Sequence, residues 1–593
     1  MPSGGDAVTN DEFQLDQEAD DDDGDQQDLG VNRTIAKHNG SARSAHGNLR
    51  TKSNPEILQT MQGLNFFDQR FANGGNQFSV EPPDQALCVG NGYVVEATND
   101  VFKVLTTAGT TLIHNEDLNT FYGYPAAINR TTLVRGPSIT DPVCYYDNDT
   151  RQFYLVVLTF DTVPATGANT GRNHLDVAVT TNGDPSGTWN IYRIATQNDG
   201  TEGTPNHGCG RTATTPPTRT NPNACFPDYP HIGADAYGVY VSANEFPLFV
   251  GGFQGAEIYA FSKRALARGD ASITVSLLDT LGYGPDGGGF TVWPAQSPAG
   301  QYELANNGTE YFMSSRAVFS NTGIATSMLT WAITNSASLD TNAPSLNLLV
   351  GETNTLGYAV FQRASQKAGS IPLGQCTVTA SCAAAIGATL QTAFAESPLN
   401  ANDSRIQQVS FANGRLWGAL DTGLIIQGDP TPRAGIAYFI LVPQLNGATL
   451  KARVATQGYI GAPFTEVGYP TIAALANGRG VISYTLSGPN DFPSVAYSSL
   501  DPVAGAGDIH IALAGAGPQD GFSGYLKAFG STRPRWGDYG AAAVDGNTIW
   551  FAQEYVAQTC TFEQYLAAPL GTCGGTRGAL GNYATGIVQV KLK

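Results

Sequence analysis

Charged side chains are scarce in this chain, at 14% of 593 residues, and basic ones are scarcest: 32 Lys and Arg stand against 51 Asp and Glu. Binding to DNA or RNA phosphates needs a basic surface, so nucleic acid is excluded as a main partner. An anionic membrane surface is excluded on the same ground. No run of about 18 apolar residues occurs, so no segment reads as a transmembrane helix. The first residues, MPSGGDAVTNDEFQLD, hold no apolar h-region, so no signal peptide is read there. There is no CxxC pair or His-rich spacing of the kind that holds zinc, and no G-x-S-x-G elbow of a serine hydrolase. DGGGF at 286–290 opens no helix pattern and is not a phosphate cradle. The seven His are scattered, which argues against a four-His iron site. WD40 and kelch signatures are absent.

What the chain does hold is glycine (69) and proline (33), with Asn, Thr and Ser between short apolar runs. That composition suits many short strands joined by turns, an all-β protein. The net charge of −19 serves solubility or, on a sharper reading, cation binding, with calcium as the candidate. Cysteine is spaced suggestively. Cys209 and Cys225, Cys376 and Cys382, and Cys560 and Cys573 bracket three loops, leaving Cys88 and Cys144. An even count with close spacing fits disulfides, hence an extracellular or cell-surface location. The alternative is eight reduced thiols in the cytosol.

Residues 1–56 read as a disordered acidic tail, because DEFQLDQEADDDDGDQQD cannot form a core. Residues 57–593 repeat loosely and read as one domain. Units such as GYPTIAALANGRGVISYTLSG (468–488), RWGDYGAAAVDGNTIWFAQEY (535–555) and FPDYPHIGADAYGVYVSANEF (226–246) share one plan. Each opens with an aromatic, Asp or Pro, runs through apolar residues, turns tightly and returns. The turn carries GNG, NGR, DGN or NNGT, and Asn-Gly and Asp-Gly supply the positive φ of a type I′ hairpin. Weaker strands such as NHLDVAVTT follow each unit. Four strands per unit define a β-propeller blade, and the pattern predicts about seven blades, with six or eight as alternatives. The C-terminal TGIVQVKLK is expected to close the ring against an early segment such as LNFFDQRF. Tandem β-sandwiches are the competing architecture.

TTNGDPSGTWNIY (180–192) resembles the Asp-box of sialidase-type propellers, with one residue more between Asp and Gly. The stretch from about 80 to 593 is similar to a group of secreted bacterial sialidase-like propellers of unassigned function, through TDPVCYYD, DPSGTW, PHIGAD, DFPSVAYS and RWGDY. The resemblance implies the fold. Sialidase chemistry would further imply an arginine triad with a Tyr–Glu nucleophile pair. Arg135, Arg405, Arg479 and Arg535 lie near repeats but outside the expected early-strand motif, so that chemistry is not carried over.

Propeller geometry brings the residues that open each unit and those that end its second strand to one mouth of the channel. The first set holds Asp84, Asp141, Asp228 and Asp538; the second holds Glu96, Asp161, Glu245, Asp421 and Glu554. Tyr229, Phe246, Trp293, Tyr469, Trp536 and Tyr555 accompany them, with His231 two residues after Tyr229. Carboxylates can work as acid, base or nucleophile on a glycan, aromatics can stack on sugar rings, and grouped carboxylates can bind calcium. The structural alternative is that each Asp accepts backbone N–H bonds and the rings fill the channel. Glu245, Glu554 and Asp538 are the catalytic candidates. Asp141, Asp228, Tyr229, His231, Trp293, Tyr469, Trp536 and Tyr555 are the ligand-binding ones. Three functions follow in order: a propeller binding a glycan or extracellular protein, with calcium as a candidate aid; a glycan hydrolase or lyase; and a structural surface module.

Overall fold

The computed structural model describes residues 55–211, 220–316, 324–361, 363–525, 528 and 535–592. The expected acidic tail lies outside them, apart from Pro55 and Glu56, which open a strand.

Four-stranded antiparallel meanders follow one another along the chain. Sheet 1 runs through Gln85–Gly90, Tyr93–Thr98, Val101–Thr106 and Thr111–Asp117. Sheet 2 holds Ser138–Asp147, Gln152–Thr162, Asn169–Thr180 and Trp189–Ala195. Sheet 3 holds Cys225–Ala234, Gly238–Pro247, Ala256–Ser262 and Val275–Asp279. Sheet 4 holds Trp293–Gln296, Thr309–Ser314, Ala325–Thr334 and Asn347–Tyr358. Sheet 5 holds Ile406–Ala412, Arg415–Leu424, Arg433–Asn446 and Thr449–Ile460. Sheet 6 holds Glu466–Ala474, Gly480–Gly488 and Asp491–Asp501, edged by the short strands Gly505–Ala506 and His510–Leu513. Sheet 7 holds Ala541–Asp545, Thr548–Tyr555 and Ala584–Leu592, and takes Pro55–Asn65 as its fourth strand.

The tight reversals are the same joint repeated. Asn91-Gly92 and Asn413-Gly414, with φ of 48°/86° and 51°/67°, link first to second strands in sheets 1 and 5. Positive φ at both residues matches the right-handed twist of the flanking strands. Gly478 and Gly546 turn the corresponding hairpins of sheets 6 and 7. The Asp-box-like segment turns between the third and fourth strands of sheet 2. There Asp184 Oδ1 accepts from Ser186 N (2.9 Å) and the Trp189 indole donates to the Pro185 carbonyl (3.1 Å).

Each first strand packs against the first strand of the next sheet, and that of sheet 7 returns to that of sheet 1. The chain is therefore all-β with a propeller-like ring of sheets. Sheets 4 and 5 touch edge to edge through a short parallel bridge, Ala295–Gln296 with Val409–Ser410. Apolar side chains fill the spaces between sheets, with Trp331, Trp417 and Trp550 fully buried; each such burial contributes roughly 2–3 kcal/mol. The closing strand differs from expectation. Ala584–Leu592 pairs with Pro55–Asn65, and Phe66–Arg70 is a short helix. The Asn65 side chain accepts from Asp68 N at 2.9 Å, an N-cap that ends the strand and starts the helix.

Four disulfides are present: Cys88–Cys144, Cys209–Cys225, Cys376–Cys382 and Cys560–Cys573. Such bonds persist in oxidising compartments, which is compatible with an extracellular location. Cys88–Cys144 joins the first strands of sheets 1 and 2. No helix among the described residues is long and apolar enough to cross a membrane.

The connections carry a second layer. Leu373, Ile386, Phe522, Tyr525, Tyr565 and Tyr583 share one apolar cluster that also buries Phe66. These residues come from the segments between sheets 4 and 5, between sheets 6 and 7, and inside sheet 7. The layer lies over the end of the ring where the first strands begin, since Ser523 reaches Glu81 and Arg535 from it.

Candidate functional site

The mouth is shaped by backbone irregularity. First strands slip register between Thr140 and Val143, Asp228 and His231, Ile406 and Val409, and Gly468 and Thr471. A bulge re-aims side chains and ends regular pairing. At three of them a residue with positive φ precedes proline: Asp141 (54°), Tyr229 (32°) and Tyr469 (57°). Such conformations cost about 1–3 kcal/mol each and persist where the surroundings over-determine them. In sheet 7, Gly537 (φ 62°) stands at the same approach, before Asp538.

Five acids and one base meet there. Asp84 faces the charges of Asp538, Asp141 and Arg535, and Glu554 faces those of Glu81, Asp84 and Asp538. The Arg535 guanidinium contacts Asp538 directly. Glu81, Asp84, Asp141 and Glu554 are all buried. Burial lifts the Asp141 carboxyl to about 6 and that of Glu81 to about 7. Burial, reinforced by neighbouring carboxylates, holds Asp84 and Glu554 well above the usual carboxylate range.

Their hydrogen bonding is unequal. Glu81 accepts from Gln519 Nε2 (2.8 Å) and Ser523 N (2.9 Å). Asp141 accepts from Thr140 Oγ1 (2.8 Å). Asp84 Oδ2 accepts from Asn99 Nδ2 (2.8 Å), but its Oδ1 is buried without a partner. Glu554 Oε2 is likewise buried and unpartnered. It points to Gly537, where a Cβ would lie 3.2 Å away. An unmade bond at a buried polar atom costs about 1–3 kcal/mol.

The expected aromatics are all buried. His231 stacks on Trp293 with ring centroids 3.7 Å apart, and Tyr229 meets His231 edge-on at 4.5 Å. Tyr539 completes the plug against Trp293. Burial, with the Arg405 charge nearby, drives the His231 imidazole well below its usual value, so it is neutral. Arg405 is gripped by Asp403 (2.8–3.0 Å) and lies 5.0 Å from the Tyr229 ring. Tyr469 donates its hydroxyl to the Asn400 carbonyl (3.0 Å) and its N–H to Asp421 (2.8 Å). The Trp536 indole donates to Thr485 Oγ1 (3.2 Å), and Tyr555 packs in the core of sheets 6 and 7. Asp228 is half-buried opposite Asn244. Asp161 faces Arg172 and His174. None of these rings presents an open face.

Glu245 keeps different company. It ends the second strand of sheet 3, where it meets Glu257 and His207. Contact with both glutamates raises His207 to about 10, and burial raises Glu257 to about 7. Sequence reasoning named neither residue as a site candidate. Glu257 carried a usable signal: it interrupts the apolar run AEIYAFS on a buried strand, two residues from Tyr259 and so on the same face. Glu81, in EPPD just ahead of the first strand of sheet 1, was also passed over.

A small cavity of about 30 Å³ opens at the opposite, hairpin end of the ring. First strands or their flanks from sheets 1, 2, 4, 5, 6 and 7 line it, including both sulfurs' residues Cys88 and Cys144.

No protein-family model matches the chain, and no curated protein matches it in sequence. Among solved structures, a protein of unknown function from Dyadobacter fermentans is 10% identical, covering 76% of this chain and 95% of its own, with a TM-score of 0.33. A putative exo-β-1,3-galactanase from Bifidobacterium bifidum is 9% identical over 67% and 96%, with a TM-score of 0.26. An endo-arabinase from Bacteroides thetaiotaomicron is 11% identical over 64% and 95%, with a TM-score of 0.26. Likenesses this distant transfer no activity, and they add no sequence-level support to the sialidase-like resemblance.

Proposed function

We propose that the protein is a seven-bladed β-propeller that works outside the cell and binds a glycan at the covered mouth where Asp84, Asp141 and Asp538 lie around Arg535, with Glu81 and Glu554 alongside. The observation that carries this reading is the pair of buried, unpartnered carboxyl oxygens, Asp84 Oδ1 and Glu554 Oε2. Polar atoms buried without partners are rare, because water or protein normally satisfies them. A hydroxyl-rich ligand answers the deficit, since each hydroxyl both donates and accepts. The Asp141 and Glu81 carboxyls, lifted to about 6 and about 7, match it by doing the same. Calcium is the other occupant those oxygens would take, as a hard cation bound by carboxylates.

One observation favours a second reading, glycan hydrolysis. Glu554 is held protonated by burial, while Asp538 beside it faces the Arg535 guanidinium. A carboxylic acid beside a second carboxyl that faces a cation is the pairing that glycosidic bond cleavage uses.

A glycan array with the full chain tests binding. The expected result is retention of a defined glycan class by the wild type and a loss of at least about tenfold in Glu554→Gln, the scale of one hydrogen bond to a charged or buried group. An array without a hit, or equal retention by the variant, would overturn the reading. Reducing-end release from a bound glycan separates hydrolysis from binding. A melting temperature unmoved by excess calcium removes the calcium component.

A further inference from the structure

We propose that His207, Glu245 and Glu257 form a binding site for a divalent transition-metal ion of the zinc type. The His207 Nδ1 atom lies 2.8 Å from Glu245 Oε2 and 3.2 Å from Glu257 Oε1. One donor atom from each residue falls within a common 4.8 Å sphere of separation. An ion held about 2.0–2.2 Å from nitrogen and carboxylate oxygen spans donor pairs of this kind.

The remaining oxygens explain why these particular atoms converge. Glu245 Oε1 accepts from Asn198 Nδ2 at 2.7 Å, and Glu257 Oε2 accepts from the Tyr259 hydroxyl at 2.6 Å. Asn198 Nδ2 also reaches Glu257 Oε1 at 2.7 Å. Each carboxylate is thus anchored through its outer oxygen, and its inner oxygen turns towards the imidazole. Such outer partners orient metal ligands and raise their affinity.

Charge points the same way. Two carboxylates, each with a side chain 1% exposed, stand side by side, and among the described residues the ion-pair partner of both is His207. The Nδ1 atom carries one proton to share between the two oxygens, and the further of them lies at 3.2 Å. A divalent ion that displaces the Nδ1 proton would take the place of the imidazolium and balance both carboxylates in a single position. The His207 side chain is 18% exposed, so the ion has a way in from that side and keeps a solvent ligand. Nitrogen in the ligand set favours zinc, manganese or cobalt over calcium, which takes six to eight oxygens. The sulfurs of Cys209 and Cys225, also close to Glu245, are tied in a disulfide. That bond shortens the loop bearing His207 and holds it over sheet 3.

The experiment uses the oxidised full chain, stripped with a chelator and titrated with zinc chloride by calorimetry. One zinc per chain is expected, with affinity falling at least about 100-fold in His207→Ala and about 10-fold in Asn198→Ala, the scale for an outer partner. With cobalt(II) as probe, the visible absorption of the bound ion should appear in the wild type and vanish in His207→Ala. His207→Gln, which keeps the loop's bulk, replaces the alanine variant if the latter does not give the wild-type melting curve. Absence of stoichiometric zinc, or uptake that both His207 variants leave unchanged, would overturn the proposal. Neither result bears on the carboxyls of the mouth, so this site and the glycan reading stand or fall separately.

Discussion

Glu96 and Glu554 end the second strands of two neighbouring sheets, 1 and 7, yet their surroundings are opposites. Glu96 accepts from Leu64 N at 2.9 Å and from the Thr585 hydroxyl, and it faces Lys103 across the strand pair. Thr585 is the cross-strand partner of Glu554, but its hydroxyl goes to Glu96. Glu554 is left with an unpartnered buried oxygen. Asp421, at the same position in sheet 5, is half-satisfied, with one oxygen on Tyr469 N and the other unpartnered. The same position in a repeat can therefore hold a structural clasp or a group in want of a ligand. Hydrogen-bond saturation, and not the residue type, separates the two.

That comparison can be broken by substitution. The largest effect is expected for Glu96→Leu, which leaves Leu64 N without its acceptor and removes the charge facing the buried Lys103, whose Nζ donates to the Gln62 and Gly63 carbonyls. Removing one partner of a buried pair costs about 3–5 kcal/mol, readable as a lower urea midpoint. A loss under about 1 kcal/mol would mean that Glu96 is no clasp.

A second prediction concerns pH. Glu81 belongs with the mouth acids, and its folded value of about 7 lies above the ordinary 4.5. A carboxyl raised on folding stabilises the protein fully below its unfolded value and loses that contribution as pH rises through its folded one. At 1.36 kcal/mol per pKa unit the contribution is about 3 kcal/mol. Between pH 4.5 and 7 the wild type should lose about that much more stability than Glu81→Gln, measured by urea unfolding at each pH. Parallel pH curves would remove Glu81 from the group.

The smallest effect has the opposite sign. Glu554→Leu should raise stability by about 1–2 kcal/mol, because an apolar side chain of similar size removes an unsatisfied buried carboxyl. The same variant should lose glycan binding. Destabilisation comparable to that of Glu96→Leu would show that Glu554 is also structural.

The local part of this architecture was legible in the residues themselves. Asn91-Gly92 and Asn413-Gly414 specify positive φ within two positions, so the hairpins follow from chemistry that needs no distant partner. The even, closely spaced cysteines likewise pointed to disulfides, and the three bracketed loops are the ones closed by Cys209–Cys225, Cys376–Cys382 and Cys560–Cys573, beside Cys88–Cys144. Even the crowding of Asp84, Asp141 and Asp538 followed from repeating one unit around an axis.

Only the tertiary structure decided which acids are satisfied. Glu81 is closed by Ser523, 442 residues away, and Glu96 by Thr585 in the strand that seals the ring. The layer of Phe522, Tyr525 and Tyr583 that takes the mouth out of water comes from insertions with no repeat pattern. The register that makes Pro55–Asn65 the closing strand, and so frees Phe66–Arg70 for a helix, is also set across the chain ends. Turn geometry is a property of adjacent residues, whereas burial and hydrogen-bond saturation depend on whatever the folded chain brings alongside.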